Sequence, residues 1–191
     1  MASIKLSGDT SGEITISAPA VAGTNTLSLP AETGNIITND TSGTILQVVS
    51  TTKTTNFSTT STSYTDITGL SVSITPSSTS NKILVTGSIF ASHSNDKLSF
   101  FNLVRGSTNI CQSTDSTSSD STVFQDTEAY QDHDRAISNI PINFLDSPST
   151  TSSTTYKIQV RTTENTVYIN RRGLNNGACA TSTITVMEIA G

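Results

Sequence analysis

The sequence from Ile67 to Phe90 reads ITGLSVSITP, then SSTSN, then KILVTGSIF, and it decides the fold. Leu70, Val72 and Ile74 occupy every second position with serines between them, which is the pattern of a strand with one buried and one solvated face. Pro76 and the polar residues after it predict a turn. The stretch therefore predicts either a long hairpin or two neighbouring strands of a β-sandwich.

The composition is poor in the residues that build cores. Hydrophobic residues make up 33% of the 191 positions, and there is no Trp, whereas ordinary globular domains have roughly 45–50% apolar residues. Regular alternation and a net charge of only -5 argue against disorder. We therefore expect a β-rich subunit that completes a thin core by assembling with copies of itself.

Charge and hydropathy exclude several partners. The ten Lys and Arg residues are spread along the chain without a basic stripe, which argues against nucleic acid and anionic membrane surfaces as partners. No apolar run approaches the roughly 20 residues that span a bilayer. The N-terminal residues lack the apolar core of a signal peptide, so we expect synthesis in the cytoplasm and no membrane insertion.

Residues 1–44 contain short alternating pieces separated by glycine turns. Each piece places two apolar residues on one face, and strands this short are stable only in sheets of three or more. We predict that residues 1–44 are an attachment and oligomerisation region and that a second domain spans 45–191. The candidate attachment and trimer contacts are Ile4, Leu6, Ile14, Ile16, Leu27 and Leu29.

One turn is repeated within the chain. DTSGEI at residues 9–14 recurs as DTSGTI at residues 40–45. We interpret the pair as a reused turn-and-strand device, and a stacked shaft repeat, which generally needs three or more units, is the alternative.

The remainder of the chain is rich in strand patterns. Residues 45–49 predict a strand, residues 51–63 an exposed edge strand or surface loop, and residues 97–105 a central strand because both of its faces are partly apolar. Pro141 demotes the run 137–144 to an edge or bulged strand. With further strands near the C-terminus, about eight to ten strands and no helical period predict an all-β, jelly-roll-like sandwich.

A polar insertion occupies residues 113–135. Hard cations prefer carboxylate oxygens, but the spacing does not fit an EF-hand loop, and long loops on rigid β scaffolds often carry recognition. We predict a surface-recognition loop without a metal or cofactor. Its candidate residues are Asp115, Asp120, Asp126, Glu128, Asp132, His133 and Asp134.

Three other residues invite a chemical interpretation. His93 lies between two serines and is predicted to be a surface residue. Cys111 and Cys179 have no CxxC or histidine companion, and we predict free, buried thiols, with a disulfide as the alternative.

The sequence contains no recognised catalytic motif. GxSxG, HExxH, Walker and GxGxxG patterns are absent, so we predict that the chain is not an enzyme. A carboxylate pair for glycoside cleavage stays open, because the separation that it needs is spatial.

Several segments resemble appendage proteins of tailed bacteriophages. GDTSG at 8–12, APAVAGTNTLSLP at 18–30 and ILQVV at 45–49 look like segments of their tail fibres, especially those of marine cyanophages. ITGLSVSITP at 67–76 and ITVMEI at 184–189 are similar to their distal β domains. The resemblance implies a homotrimer with an N-terminal virion-attachment region and an outward-facing C-terminal domain, and it carries over no functional residue.

These observations predict a non-enzymatic virion structural protein. We expect a homotrimeric fibre or spike subunit that docks on other virion proteins through its N-terminal region. Its sandwich would then be exposed for adhesion to a host-surface glycan or protein. The alternatives are a capsid decoration or head-fibre protein that braces the shell, and a polysaccharide-degrading domain of a tail spike.

Overall fold

A computed structural model of the chain describes residues 3–8, 10–17, 41–94, 98–112, 124–126 and 136–191. The chain divides into two compact units, Met1–Ile36 and Ile37–Gly191. The described residues form strands and turns without a helix. The first unit contains an antiparallel hairpin of β1 (Ser3–Ser7) and β2 (Glu13–Ser17).

The second unit contains eleven strands among its described residues. They are β3 (Ile45–Lys53), β4 (Phe57–Thr59), β5 (Thr65–Ile74), β6 (Lys82–His93), β7 (Ser99–Arg105), β8 (Thr108–Ile110), β9 (Phe124–Asp126), β10 (Ser138–Asp146), β11 (Thr154–Thr162), β12 (Val167–Ile169) and β13 (Ser182–Ile189).

Eight of these strands have the pairing order of a jelly roll. The first sheet contains β3-β13-β6-β10, and the second contains β5-β11-β7-β9. When these eight strands are numbered along the chain, the two sheets read 1-8-3-6 and 2-7-4-5, which is the strand order of a jelly-roll sandwich. β12 and β4 extend the first sheet, and β8 returns beside β7. The all-β, jelly-roll-like prediction is therefore confirmed.

The hairpin interpretation of residues 67–90 is wrong. β5 belongs to the second sheet and β6 to the first, so the chain crosses between the sheets at the predicted turn. Leu70, Val72 and Ile74 are buried as predicted, with at most 4% of their surface exposed. Two consecutive strands can bury their apolar faces in the same core from opposite sides, and alternation alone does not distinguish that arrangement from pairing.

A single layer of apolar side chains lies between the sheets. β6 contributes Ile83, Val85 and Ile89, and the second sheet contributes residues such as Ile158 and Val160, all fully buried. The remaining buried hydrophobic residues of this core cluster are Ile67, Leu70, Val72, Ile74, Ala91, Phe101, Leu103, Ile110, Ile140, Ile142, Tyr156, Val167, Ile169, Ile184 and Val186. Most come from alternate strand positions, as a two-sheet sandwich requires.

Other strand predictions fit the structure. β7 is buried along nearly its whole length and lies between β11 and the pair β8 and β9, as expected of a central strand. Pro141 lies in β10, which pairs with β6 alone among the described strands, so its missing N–H faces an open edge. β13 ends at Ile189 and pairs with β3 and β6.

The glycines of the repeated turn share a backbone conformation. Gly12 and Gly43 have φ angles of 89° and 85° and precede β2 and β3. Both sites therefore need the left-handed conformation that glycine adopts without strain.

Two predictions about reactive residues are wrong. His93 is only 1% exposed, and its Nε2 lies 2.9 Å from Oγ1 of Thr162, because β6 runs through Ser92 and ends at His93, which still belongs to the sheet. Cys111 is half-buried and Cys179 is exposed, although both are free as predicted.

At Gly87, β6 lies close to the backbone of its neighbour β13. It is opposite Ile184 on β13 and Ile142 on β10, and a Cβ atom there would collide with the carbonyl oxygen of Thr183. Because this obstacle is backbone, it cannot rotate away, and the sheet has to shift.

We predict that Gly87→Ala lowers the free energy of unfolding by about 1–3 kcal/mol, the usual cost of overpacking a well-filled interior. Thr86→Ala, one residue away on the solvent side of the same strand, is the matched control. Urea titrations of both variants measure the difference. Equal stability of the two variants would contradict the proposed close approach.

Candidate interaction surfaces

The N-terminal hairpin has one apolar and one polar face. Ile4 is opposite Ile16, and Leu6 is opposite Ile14, so the four side chains share a face. They are 46–67% exposed. The opposite face contains an ion pair between Lys5 and Glu13, with 2.7 Å between Nζ and Oε1.

This hairpin contains four of the six residues that the sequence predicts for attachment. The other two, Leu27 and Leu29, lie outside the described residues. An isolated two-stranded hairpin is marginally stable in water, and exposed apolar faces are common at interaction sites. The role of the face in attachment stays a prediction.

The acidic segment touches the sandwich at one described point. β9 pairs with β7, with Asp126 opposite Ser99, so the insertion returns to the second sheet in the middle of its length. The other predicted recognition residues lie outside the described part of the chain: Asp115, Asp120, Glu128, Asp132, His133 and Asp134. The recognition role of this segment stays a prediction.

The outer face of the second sheet carries charged side chains. Lys157 and Gln159 each donate a hydrogen bond of 2.7 Å to the carboxylate of Asp66. These two bonds, from Lys157 first, lower the pKa of Asp66 below its ordinary value. The guanidinium of Arg161 lies 4.1 Å from the ring centroid of Phe100, a cation–π contact. This face is therefore polar and internally paired.

The outer face of the first sheet is very different. An apolar row crosses all four strands, from Val48 on β3 through Met187 and Leu84 to Leu145 on β10. Val48 and Leu145 are 57% and 49% exposed, and Ile45, at the start of β3, is 56% exposed. The next row contains only hydroxyl and amide side chains: Ser50, Thr185, Thr86 and Asn143.

Sequence reasoning missed this row. Its members come from four strands that are distant in the sequence, so no local pattern contains them. The available signal was an apolar residue at a position whose alternation predicts solvent, as at Leu84 between Ile83 and Val85.

A buried carboxylate closes one end of the sandwich. Glu188 is 2% exposed, and its Oε1 accepts hydrogen bonds from the backbone N–H and hydroxyl of Ser77 and from Nδ2 of Asn81, at 2.6, 2.8 and 2.7 Å. Burial raises the pKa of this carboxyl, but the three hydrogen bonds outweigh it and hold the pKa below its ordinary value. The network fixes the β5–β6 crossover against β13.

A groove of about 580 Å³ lies beside this network and is lined by residues including Gln47, Ser80 and Glu188. Because Oε1 of Glu188 already accepts three hydrogen bonds, the carboxylate has a structural task at this place.

A second buried network joins the two sheets. Asp146 at the end of β10 accepts bonds of 2.8 Å from Arg105 at both carboxylate oxygens, and the hydroxyl of Tyr156 donates to Oδ2 at 2.7 Å. Tyr156 is fully buried. Its burial, followed by the bond to Asp146, raises the pKa of the phenol, so Tyr156 stays protonated and donates. A buried charge that is paired and bonded in this way is tolerated.

The described residues contain no cluster of potential metal ligands. Among them there is no group of three or more His, Cys, Asp or Glu residues that could hold a metal ion. In the same part of the chain, no helix has the length and apolarity that would let it cross a membrane.

Comparison with known proteins gives matches among solved structures. No protein family model and no curated protein matches the chain. Among solved structures, it is similar to the infectious bursal virus derived T=1 particles, with 15% identity, a TM-score of 0.40, and coverage of 97% of this chain and 44% of the other. For the infectious bursal disease virus Gt strain, the identity is 15%, the TM-score is 0.40, and the coverage is 97% of this chain and 46% of the other. For the VP2 subviral particle of infectious bursal disease virus, the identity is 16%, the TM-score is 0.36, and the coverage is 87% of this chain and 42% of the other.

The chain thus spans less than half the length of these solved capsid structures. The jelly-roll assignment rests on the strand pairing of this chain and does not depend on the likeness.

We predict that Glu188→Gln destabilises the protein by about 1–3 kcal/mol at neutral pH, because a charge-assisted hydrogen-bond network is lost. The folded pKa of Glu188 lies below the ordinary value of 4.5. Its stabilisation is therefore complete above that pH and is lost as the pH falls through the folded pKa.

Thermal unfolding from pH 7 down to pH 3 tests this, with Ser80→Ala on the same groove as the control. The difference in melting temperature between wild type and Glu188→Gln should narrow below pH 4.5. The difference in melting temperature between wild type and Ser80→Ala should stay constant. Parallel curves for all three proteins would show that the carboxylate makes no net contribution.

Proposed function

We propose that the chain is a non-enzymatic structural protein of a phage virion, a homotrimeric fibre or spike subunit. Its N-terminal region attaches it to other virion proteins, and its sandwich is exposed for adhesion to a host-surface glycan or protein. The observation that carries the proposal is that one chain contains both a jelly-roll sandwich and a hairpin whose four apolar side chains are 46–67% exposed.

The buried polar groups support a structural role. Asp146, Glu188 and His93 each contact side chains that join strands or crossovers. A jelly roll that uses its titratable residues in this way is suited to presenting surfaces and loops, and viral capsid domains often use this architecture.

The hairpin supports attachment. Four aliphatic side chains on one face of a two-stranded sheet lose solvent contact only when another surface covers them, and fully burying each of them is worth about 1.5–3 kcal/mol. A hairpin that is marginal alone then becomes ordered by docking. The sequence resemblance to phage appendage proteins points to the virion as the docking partner.

We predict that converting Ile4, Leu6, Ile14 and Ile16 to Thr abolishes incorporation into particles and leaves the sandwich folded. Threonine has the β-branched shape that strands favour but removes most of the apolar surface. Lys5→Thr with Glu13→Thr changes the opposite face of the same hairpin and should incorporate normally.

The measurement is the amount of the chain that co-purifies with phage particles from a lysate that produces both. Electron microscopy of those particles shows whether the chain lies on the tail or on the head, which separates the fibre from a decoration protein. Normal incorporation of the apolar-face variant would refute attachment through this hairpin. Sugar release from polysaccharide by the purified protein would instead support a tail-spike enzyme.

A further inference from the structure

We propose that the outer face of the first sheet is the surface through which the sandwich meets a second copy of this chain. The face consists of the outward residues of β3, β13, β6 and β10, with the row of Val48, Met187, Leu84 and Leu145 at its centre. The inference rests on the proposed self-assembly and names the surface that makes it.

The face is nearly uncharged. Outward positions on the four strands are occupied by aliphatic, hydroxyl, amide and proline side chains, with Phe90 and Lys82 at opposite ends. Lys82 is the only charged residue among them, and its Nζ lies 3.2 Å from Oγ of Ser147 at the edge. The chain as a whole has 15 acidic and 10 basic residues, so a sheet face without a carboxylate is a marked departure.

The absence of charge favours an identical partner. Two copies of one chain carry the same charges, and like charges placed opposite one another across an interface cost several kcal/mol. A protein with net charge -5 therefore associates with itself most easily through a neutral surface. An unlike partner is usually met by complementary charge, which the outer face of the second sheet offers at Asp66, Lys157 and Arg161.

The area of the face is also suited to an interface with a second copy. Four strands at a spacing of about 4.8 Å and nine residues at about 3.3 Å each give a flat footprint of roughly 570 Å². Accessible area exceeds the flat footprint because side chains project from it. The face therefore approaches the roughly 800 Å² that each partner contributes to a standard specific interface.

The chemistry is self-complementary along the face. The apolar row provides burial, and exposed apolar patches of this kind mark interfaces. In the next row, the hydroxyls of Ser50 and Thr185 already bond to each other at 2.8 Å, so covering them costs little. Three copies that turn this face toward a common axis would thus cover apolar side chains with apolar side chains, with the one charge of the face, Lys82, at its edge.

The test is sedimentation velocity of the full chain over a concentration series. Val48→Glu with Leu145→Glu should raise the dissociation constant at least about tenfold, because assembly would bury unpaired charges. The matched control is Ser71→Glu with Ser73→Glu, which adds the same charge to the exposed outer face of β5 and should assemble like wild type. Dissociation of the control with assembly of the first variant would overturn the proposal.

Folding of each variant is checked by circular dichroism, and the single variant Leu145→Glu replaces the double variant if that one unfolds. Leu145 is 49% exposed, so a glutamate there is solvated in the monomer. Met187 supplies a readout without substitution: its oxidation by dilute peroxide should slow several-fold as the wild-type protein assembles. An oxidation rate that does not change with concentration would overturn the assigned face.

The outcomes separate the two proposals. If wild type assembles, and the Val48→Glu, Leu145→Glu variant assembles as well as the Ser71→Glu, Ser73→Glu control, the assigned face is wrong while the homotrimeric structural role stands. If wild type is monomeric at every concentration, the homotrimer and the face both fail.

Discussion

The structure depends on one layer of apolar side chains between two sheets. With 33% hydrophobic residues, the chain can fill that layer and little else, so nearly every strand has one apolar face. β6 is the strand that holds the layer together, because it pairs with β13, β10 and β12. Gly87 makes this possible, since a side chain at its position would meet the backbone of β13.

Because the chain has few apolar residues, the apolar side chains that it leaves exposed are informative. The hairpin face at Ile4 and Ile16 and the row through Val48 and Leu145 expose aliphatic side chains that a chain so rich in Ser and Thr could easily have replaced. Each of these surfaces is flat, neutral and bordered by polar residues. The first fits docking on a virion, and the second fits a sister copy. Under the two proposals, the subunit is completed by assembly.

Alternation in the sequence predicted burial well and pairing poorly. The apolar set at Leu70, Val72 and Ile74 and the central position of β7 followed from period-2 patterns, and the edge position of β10 followed from Pro141. The sheet crossover between β5 and β6 did not, because a strand's pattern says which face is buried and not which strand lies beside it. His93 was misjudged for a related reason: its serine neighbours indicate a loop, yet β6 runs through Ser92 to His93 itself, and Thr162 contacts the ring. The apolar row of the first sheet needed the register of four distant strands and could not be found from local sequence.

The central claim is that the chain is a subunit completed by copies of itself. Light scattering coupled to size exclusion tests it most directly, using the wild-type chain of 20.0 kDa. We expect a species of three times that mass at concentrations above the dissociation constant of the assembly. A monodisperse, stable species with the mass of one chain would contradict it.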